Sequence, residues 1–161
     1  MNVWHSQREW LVSHGSTLIN THRQLTGRDL IEFTGDTVED SRRLFEAPFV
    51  VVSAGTDADQ TLNYANETAL RLWEMDWDTL VKTPSRHTAE PVHRDERSAF
   101  LRRVRESGFI DDYSGIRISS QGNRFRIAKA TVWNLTDPAG NHIGQAATFS
   151  SWEPLGAKES I

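Results

Sequence analysis

The 161-residue chain contains no cysteine. Disulfides, thiolate nucleophiles, cysteine-ligated metals and flavin–cysteinyl photoadducts are therefore excluded. No run of 18 apolar residues occurs, so no segment reads as a membrane span. The N-terminus, MNVWHSQREW, lacks the basic and apolar regions of a secretory signal, and a cytoplasmic location is the expectation. Positive charge is not in excess either. The net charge of −4 and pI near 5.8 argue against a broad footprint for nucleic acid or an anionic membrane surface, and neither partner is expected. Nucleophile-elbow, phosphate-loop and dinucleotide motifs are missing. Asp111 and Asp112 are adjacent on a strand and point to opposite faces, which makes them a poor acid/base pair. These absences weigh against an enzyme, which stays open as an alternative.

What is present is a β-rich C-terminal half. From Gly108 to Trp152, three runs of β-branched and aromatic residues are separated by the turn clusters Ser120–Asn123 and Asp137–Asn141. Turns this short join only antiparallel neighbours, so the segment reads as a three-stranded meander. Upstream, residues 3–26 read as a helix, either broken at Gly15 or continuous, with Gly27 as its C-terminal cap. Trp4, Leu11, Leu18 and Leu25 recur every seven positions. Such a stripe can be a dimer seam or can lie on the chain's own sheet. A second helix follows, with Thr37 as the expected N-cap and Pro48 as its stop. Phe49–Ser53 reads as a buried central strand, and Gln60–Tyr64 as its hairpin partner. Asn66 caps a helix to Trp73, Asp76 starts another turn, and His93–Glu106 forms an amphipathic helix. Two strands and three strands close into one five-stranded antiparallel sheet with helices on one face, an α+β fold with a cavity between the layers.

That order is similar to a PAS domain. More specifically, LNYANETALRLWEMDWDTL, PSRHTAEP, GFIDDYSGIRISSQGNRFRI and ATVWNLTDPAGNHIGQAATF resemble the MEKHLA domain. This is a PAS-related family of stand-alone bacterial proteins that also closes some plant homeodomain-leucine-zipper regulators. The resemblance implies an N-terminal helical extension over 1–45, a PAS-like domain over 46–152 and a loose tail over 153–161. It implies a sensory or regulatory module with no established general ligand, and the plant relatives' DNA binding does not carry over. Set against the light-sensing flavin PAS class, Ser85 occupies the adduct position beside Arg86. The two flavin-ring asparagines fall near Arg117 and Ile127.

The candidate ligand-binding residues are Arg86, Arg117, Tyr113, Trp73, Trp133, Arg97, Gln145 and Thr148. A buried arginine needs a counter-charge, which a ligand carboxylate or phosphate supplies; an internal salt bridge to Glu90, Asp111 or Asp112 is the alternative. Trp73, Trp77, Tyr113, Phe125 and Trp133 form either an aromatic wall for a planar ligand or a plain core. Gln145 and Thr148 lie on opposite faces of their strand, so one of them faces the cavity. His87, Glu90 and His93 have the residue types of a metal site, but Pro91 interrupts their helical spacing, and His142 reaches them only through the fold. Haem through His87 or His93 is a related but disfavoured reading. Three functions remain: a sensor of a small polar or anionic molecule, a homodimerisation module acting through the N-terminal helix or outer sheet face, and a small enzyme on a PAS scaffold.

Overall fold

Local chemistry places most of the elements. The computed structural model describes residues 2–89 and 94–157, apart from the side chains of residues 94–97, 101 and 157. Helices α1 (Val3–Ser6) and α2 (Arg8–Thr26) break at Gln7, and Gly27, with φ of 73°, caps α2. Gly15 does not break the helix. A Cβ there would lie 2.9 Å from Ser41 Oγ, so glycine lets α2 and α3 (Thr37–Phe45) cross closely. The cap of α3 is Asp36 rather than Thr37: its carboxylate accepts from Glu39 N at 3.1 Å.

Strands β1 (Val50–Ala54) and β2 (Leu62–Ala65) form the expected hairpin. Asn66 caps α4 (Glu67–Trp73) and is fully buried. Its Oδ1 accepts from Val51 N and Ala69 N, and its Nδ2 donates to Leu44 O and Phe49 O. One satisfied amide thus ties α3, β1 and α4 together. Asp76 caps α5 (Trp77–Leu80), a 3-10 turn covers Ser85–Thr88, and α6 runs Arg94–Ser107.

The C-terminal strands are β3 (Phe109–Ile118), β4 (Asn123–Thr136), β5 (His142–Phe149) and β6 (Trp152–Ala157). The sheet is antiparallel in the order β2-β1-β5-β4-β3, with β6 also on β4. The expected five strands are therefore six, and the expected loose tail is a strand as far as Ala157. The cause is the length of β4. Its 14 residues outrun β5, which pairs only with 131–136, and β6 covers the edge left at 123–127.

The α4–α6 helices pack on one face of the sheet, as expected, and the N-terminal extension covers the other. Helices α1–α3 cover one face, where Trp4, Leu11 and Leu18 join Val51, Tyr64, Trp133 and Leu135 in a core cluster. Helices α4–α6 lie over the other, with Trp73, Phe125, Ile127 and Phe149. The sevenfold stripe is thus spent inside the chain: Leu11 and Leu18 are 0% exposed, and only Leu25 lies at the surface. Trp4, Leu11 and Leu18 are turned inward, and that face of the sheet lies under α1–α3. Among the described residues no helix is long and apolar enough to cross a membrane.

Candidate functional site

A cavity of about 80 Å³ lies between the sheet and the second helical layer. Its walls include Val52 and Ala54 of β1, Leu62 of β2, Trp73 of α4, Ser85 and Thr88 of the 3-10 turn, and Phe100 of α6. Tyr113 and Arg117 of β3, Ile127 of β4, and Gln145 and Phe149 of β5 complete them. This is room for about three water molecules.

Arg117 is the charged group in this lining. It is 7% exposed. Its Nη1 donates to the Ile116 carbonyl at 3.0 Å and its Nη2 to the Tyr113 hydroxyl. Among the described residues no carboxylate pairs with it. Burial holds its pKa below the ordinary guanidinium value, with Tyr113 acting in the opposite sense. An arginine so lowered still carries its charge at neutral pH. Tyr113 reaches it by lying across Gly115, where a Cβ would stand 2.5 Å from the tyrosine oxygen. Residues 113, 115 and 117 share this face by the period of two. The Tyr113 ring packs on Phe100 with centroids 3.9 Å apart.

Trp73 also lines the cavity, edge-on to Phe125 and Phe149 at 5.3 and 6.1 Å. Its Nε1–H is buried with no acceptor. Gln145 faces the cavity and donates from Nε2 to Asn134 Oδ1 at 3.1 Å.

Other candidates lie elsewhere. Thr148 is on the opposite face of β5 and donates to the Val50 carbonyl at 2.8 Å. Trp133 is also on the opposite face, its Nε1 donating to Thr21 Oγ1 at 2.9 Å. Strict alternation would put Phe125 and Trp133 together. However, Ile127 and Ala130 of β4 oppose Gly115 and Tyr113 of β3, an extra residue on β4, and Lys129 has a φ of 54°. That bulge reverses the phase of the strand. Trp77 packs against Tyr64 in the same cluster as Trp133, so the expected aromatic wall is divided between two faces.

Arg86 points out. Its Nη1 lies 2.7 Å from Asp59 Oδ1 in a half-exposed pair, and it does not line the cavity. The 3-10 turn explains this, since residues three apart eclipse and Ser85 and Thr88 take the inward side. That turn places Ser85 and Thr88 in the lining, in addition to the ligand contacts expected from the sequence. Asp111 pairs with Arg28 at 3.2 Å. Asp111 and Asp112 sit in a second bulge and are both exposed, rather than on opposite faces of a regular strand. Glu90 and His93 lie outside the described residues, as does the Arg97 side chain. His87 is exposed, and His142 lies in an open groove with Arg102 and Arg105. No group of three His, Asp or Glu side chains among the described residues is placed to hold a metal ion.

A family model of the MEKHLA domain matches residues 12–154. The chain belongs to the MEKHLA domain family. This MEKHLA domain has the fold of PAS and light-oxygen-voltage domains. It is similar to a PAS domain from Colwellia psychrerythraea, with TM-score 0.59 and 10% identity over 68% of this chain and 91% of that one. It is also similar to an RNA-binding light-oxygen-voltage receptor, with TM-score 0.59 and 19% identity over 74% of this chain and 34% of that one. A variant of the fungal photoreceptor VVD gives TM-score 0.54 and 12% identity over 82% of this chain and 91% of that one. At these identities the likeness is one of fold. No curated protein matches the chain.

The residues of this MEKHLA domain do not fit a flavin. Ser85 does face the cavity, but Arg117 offers only donors and Ile127 offers no polar group. The volume of about 80 Å³ is also well under the roughly 300–1,000 Å³ of pockets that hold such ligands. Nor does His87 fit an axial haem ligand, since it is outside the cavity.

Proposed function

We propose that this MEKHLA domain is a PAS-type sensory or regulatory module that holds a small anionic molecule in the cavity, anchored by Arg117. The observation that carries this reading is a buried guanidinium with neutral partners only. A charge in such a place is unfavourable unless something of opposite sign is brought to it. The described lining contains no carboxylate that would take the place of such an anion beside Arg117.

A route from the cavity to the N-terminal helix supports the regulatory part. Ser53 of β1 sits between Val52 and Ala54 in the cavity wall, and its hydroxyl, on the α2 side, donates to Asn63 Oδ1 at 2.6 Å. With its proton committed there, Ser53 Oγ accepts from His14 Nε2 of α2 at 2.8 Å. A ligand that displaces β1 would alter this buried contact and, through it, the seating of α2.

The test is thermal denaturation in a panel of small inorganic and organic anions at constant ionic strength. At least one anion is expected to raise the melting temperature of the wild type by several degrees, and to leave Arg117→Met unmoved. A wild type indifferent to every anion, or a variant that responds equally, would overturn the reading.

A further inference from the structure

We propose that the ligand is a small monocarboxylate with a short apolar tail, its carboxylate on Arg117. This rests on the cavity reading above and narrows it by charge, donor set and volume. Arg117 is the one cation in the described lining, which matches a single negative charge. Every free polar hydrogen near it is a donor. Of the five guanidinium N–H groups, two are used by the Ile116 carbonyl and the Tyr113 oxygen, which leaves three. The Tyr113 hydroxyl accepts from Arg117 and keeps its own proton to donate. Trp73 lends its ring to the same cavity, and its own Nε1–H is buried without an acceptor. A planar, acceptor-only head group meets this set, and a carboxylate takes two parallel bonds from one guanidinium.

The apolar part of the remaining wall favours a short tail. Gln60, Ser85, Thr88 and Gln145 add polar groups, but Val52, Ile127, Ala147 and Phe149 present only hydrocarbon. A phosphate or sulfate leaves those four residues unmatched, whereas an alkyl tail is at home there. The volume of about 80 Å³ falls below the roughly 150 Å³ that accepts benzene in an engineered apolar cavity, which limits the tail to a few carbons.

Calorimetric titration of the full chain with sodium acetate, propionate, butyrate, octanoate, phosphate and sulfate, at fixed ionic strength, tests this. Affinity is expected to rise from acetate to butyrate and to fall at least tenfold at octanoate. Butyramide, the neutral isostere, is expected to bind at least tenfold more weakly than butyrate. Arg117→Met, checked for folding by circular dichroism, is expected to lose butyrate binding. If that variant does not fold, the butyrate–butyramide contrast in the wild type still decides. Phosphate or sulfate binding more tightly than butyrate would leave the anion cavity standing and sink the monocarboxylate. Butyramide binding equally would remove the charge argument, and octanoate binding equally would remove the size argument. Silence from every anion would defeat the cavity reading itself.

Discussion

The two faces of the sheet bury polar groups by different rules. Under α1–α3 the side-chain hydrogen bonds between helix and sheet join neutral groups: Trp133 with Thr21, and His14 with Ser53. Two buried oxygens of that layer lack a partner: the Tyr64 hydroxyl, uncharged because burial drives its pKa far up, and Oδ2 of Asp40 in α3, whose other oxygen accepts from Thr34. Under α4–α6 the buried group is a guanidinium with neutral partners, and the Trp73 indole N–H of the same layer has none. The first face is packed for stability. The second leaves both space and unmet hydrogen-bonding capacity in one place, which is the condition for taking up a ligand.

The largest effect should come from testing the closed face against the open one with the same residue type. Trp133 is 0% exposed and its N–H is paired. Trp133→Ala should lower unfolding free energy by about 4 kcal/mol, from lost burial and the cavity left behind. Trp73→Phe, which removes an unpaired N–H on the cavity side, should cost less than about 1 kcal/mol. Urea unfolding measures both. Equal losses would show that the Trp73 indole is as firmly used as that of Trp133.

A smaller effect should appear with pH, again from the closed face. Burial pushes the His14 pKa down from 6.5 to about 4. The unfolded chain therefore takes up a proton near pH 6.5 that the folded chain refuses until about pH 4. Stability from this group is complete above pH 6.5 and is lost progressively down to about pH 4, by about 3 kcal/mol in all. His22, also lowered by burial, adds a loss of the same sign. His14→Gln keeps a donor for Ser53 and should flatten most of that slope in melts between pH 7 and 4. An unchanged slope would mean that His14 is not held neutral and that this face is less closed than described.

What is legible in the sequence follows the range of the interaction that decides it. Asn66, Asp76 and Gly27 act on backbone groups within a turn of themselves, and the structure uses each as expected. The turns at Ser120–Asn123 and Asp137–Asn141 are equally local. The faces of β4 are not legible, because one residue inserted at Lys129 turns Phe125 and Trp133 apart, and no period-two rule contains it. Strand β6 is hidden for a related reason: it exists because β4 outreaches β5, a fact about two lengths rather than one segment. At the site, Arg117 and Tyr113 share a face by simple alternation, and the same rule leaves Gln145 as one of two candidates. Arg86 is mistaken because its partner, Asp59, lies on the far side of a hairpin.

The smallest expected change has the opposite sign to the others. Without ligand, the Arg117 charge is removed from water and given only a peptide carbonyl and a phenol oxygen in return. Replacing such a group by a hydrocarbon of similar length avoids the desolvation cost, although Tyr113 loses the donor it faces. Arg117→Met should therefore raise unfolding free energy by about 1 kcal/mol, read in urea at neutral pH without added organic anions. A stabilised variant that no longer responds to anions would show that the arginine is kept at the expense of the fold. A loss of more than about 2 kcal/mol would place Arg117 with Trp133 and His14 among the groups that hold the sheet together, and the distinction between the two faces would fail.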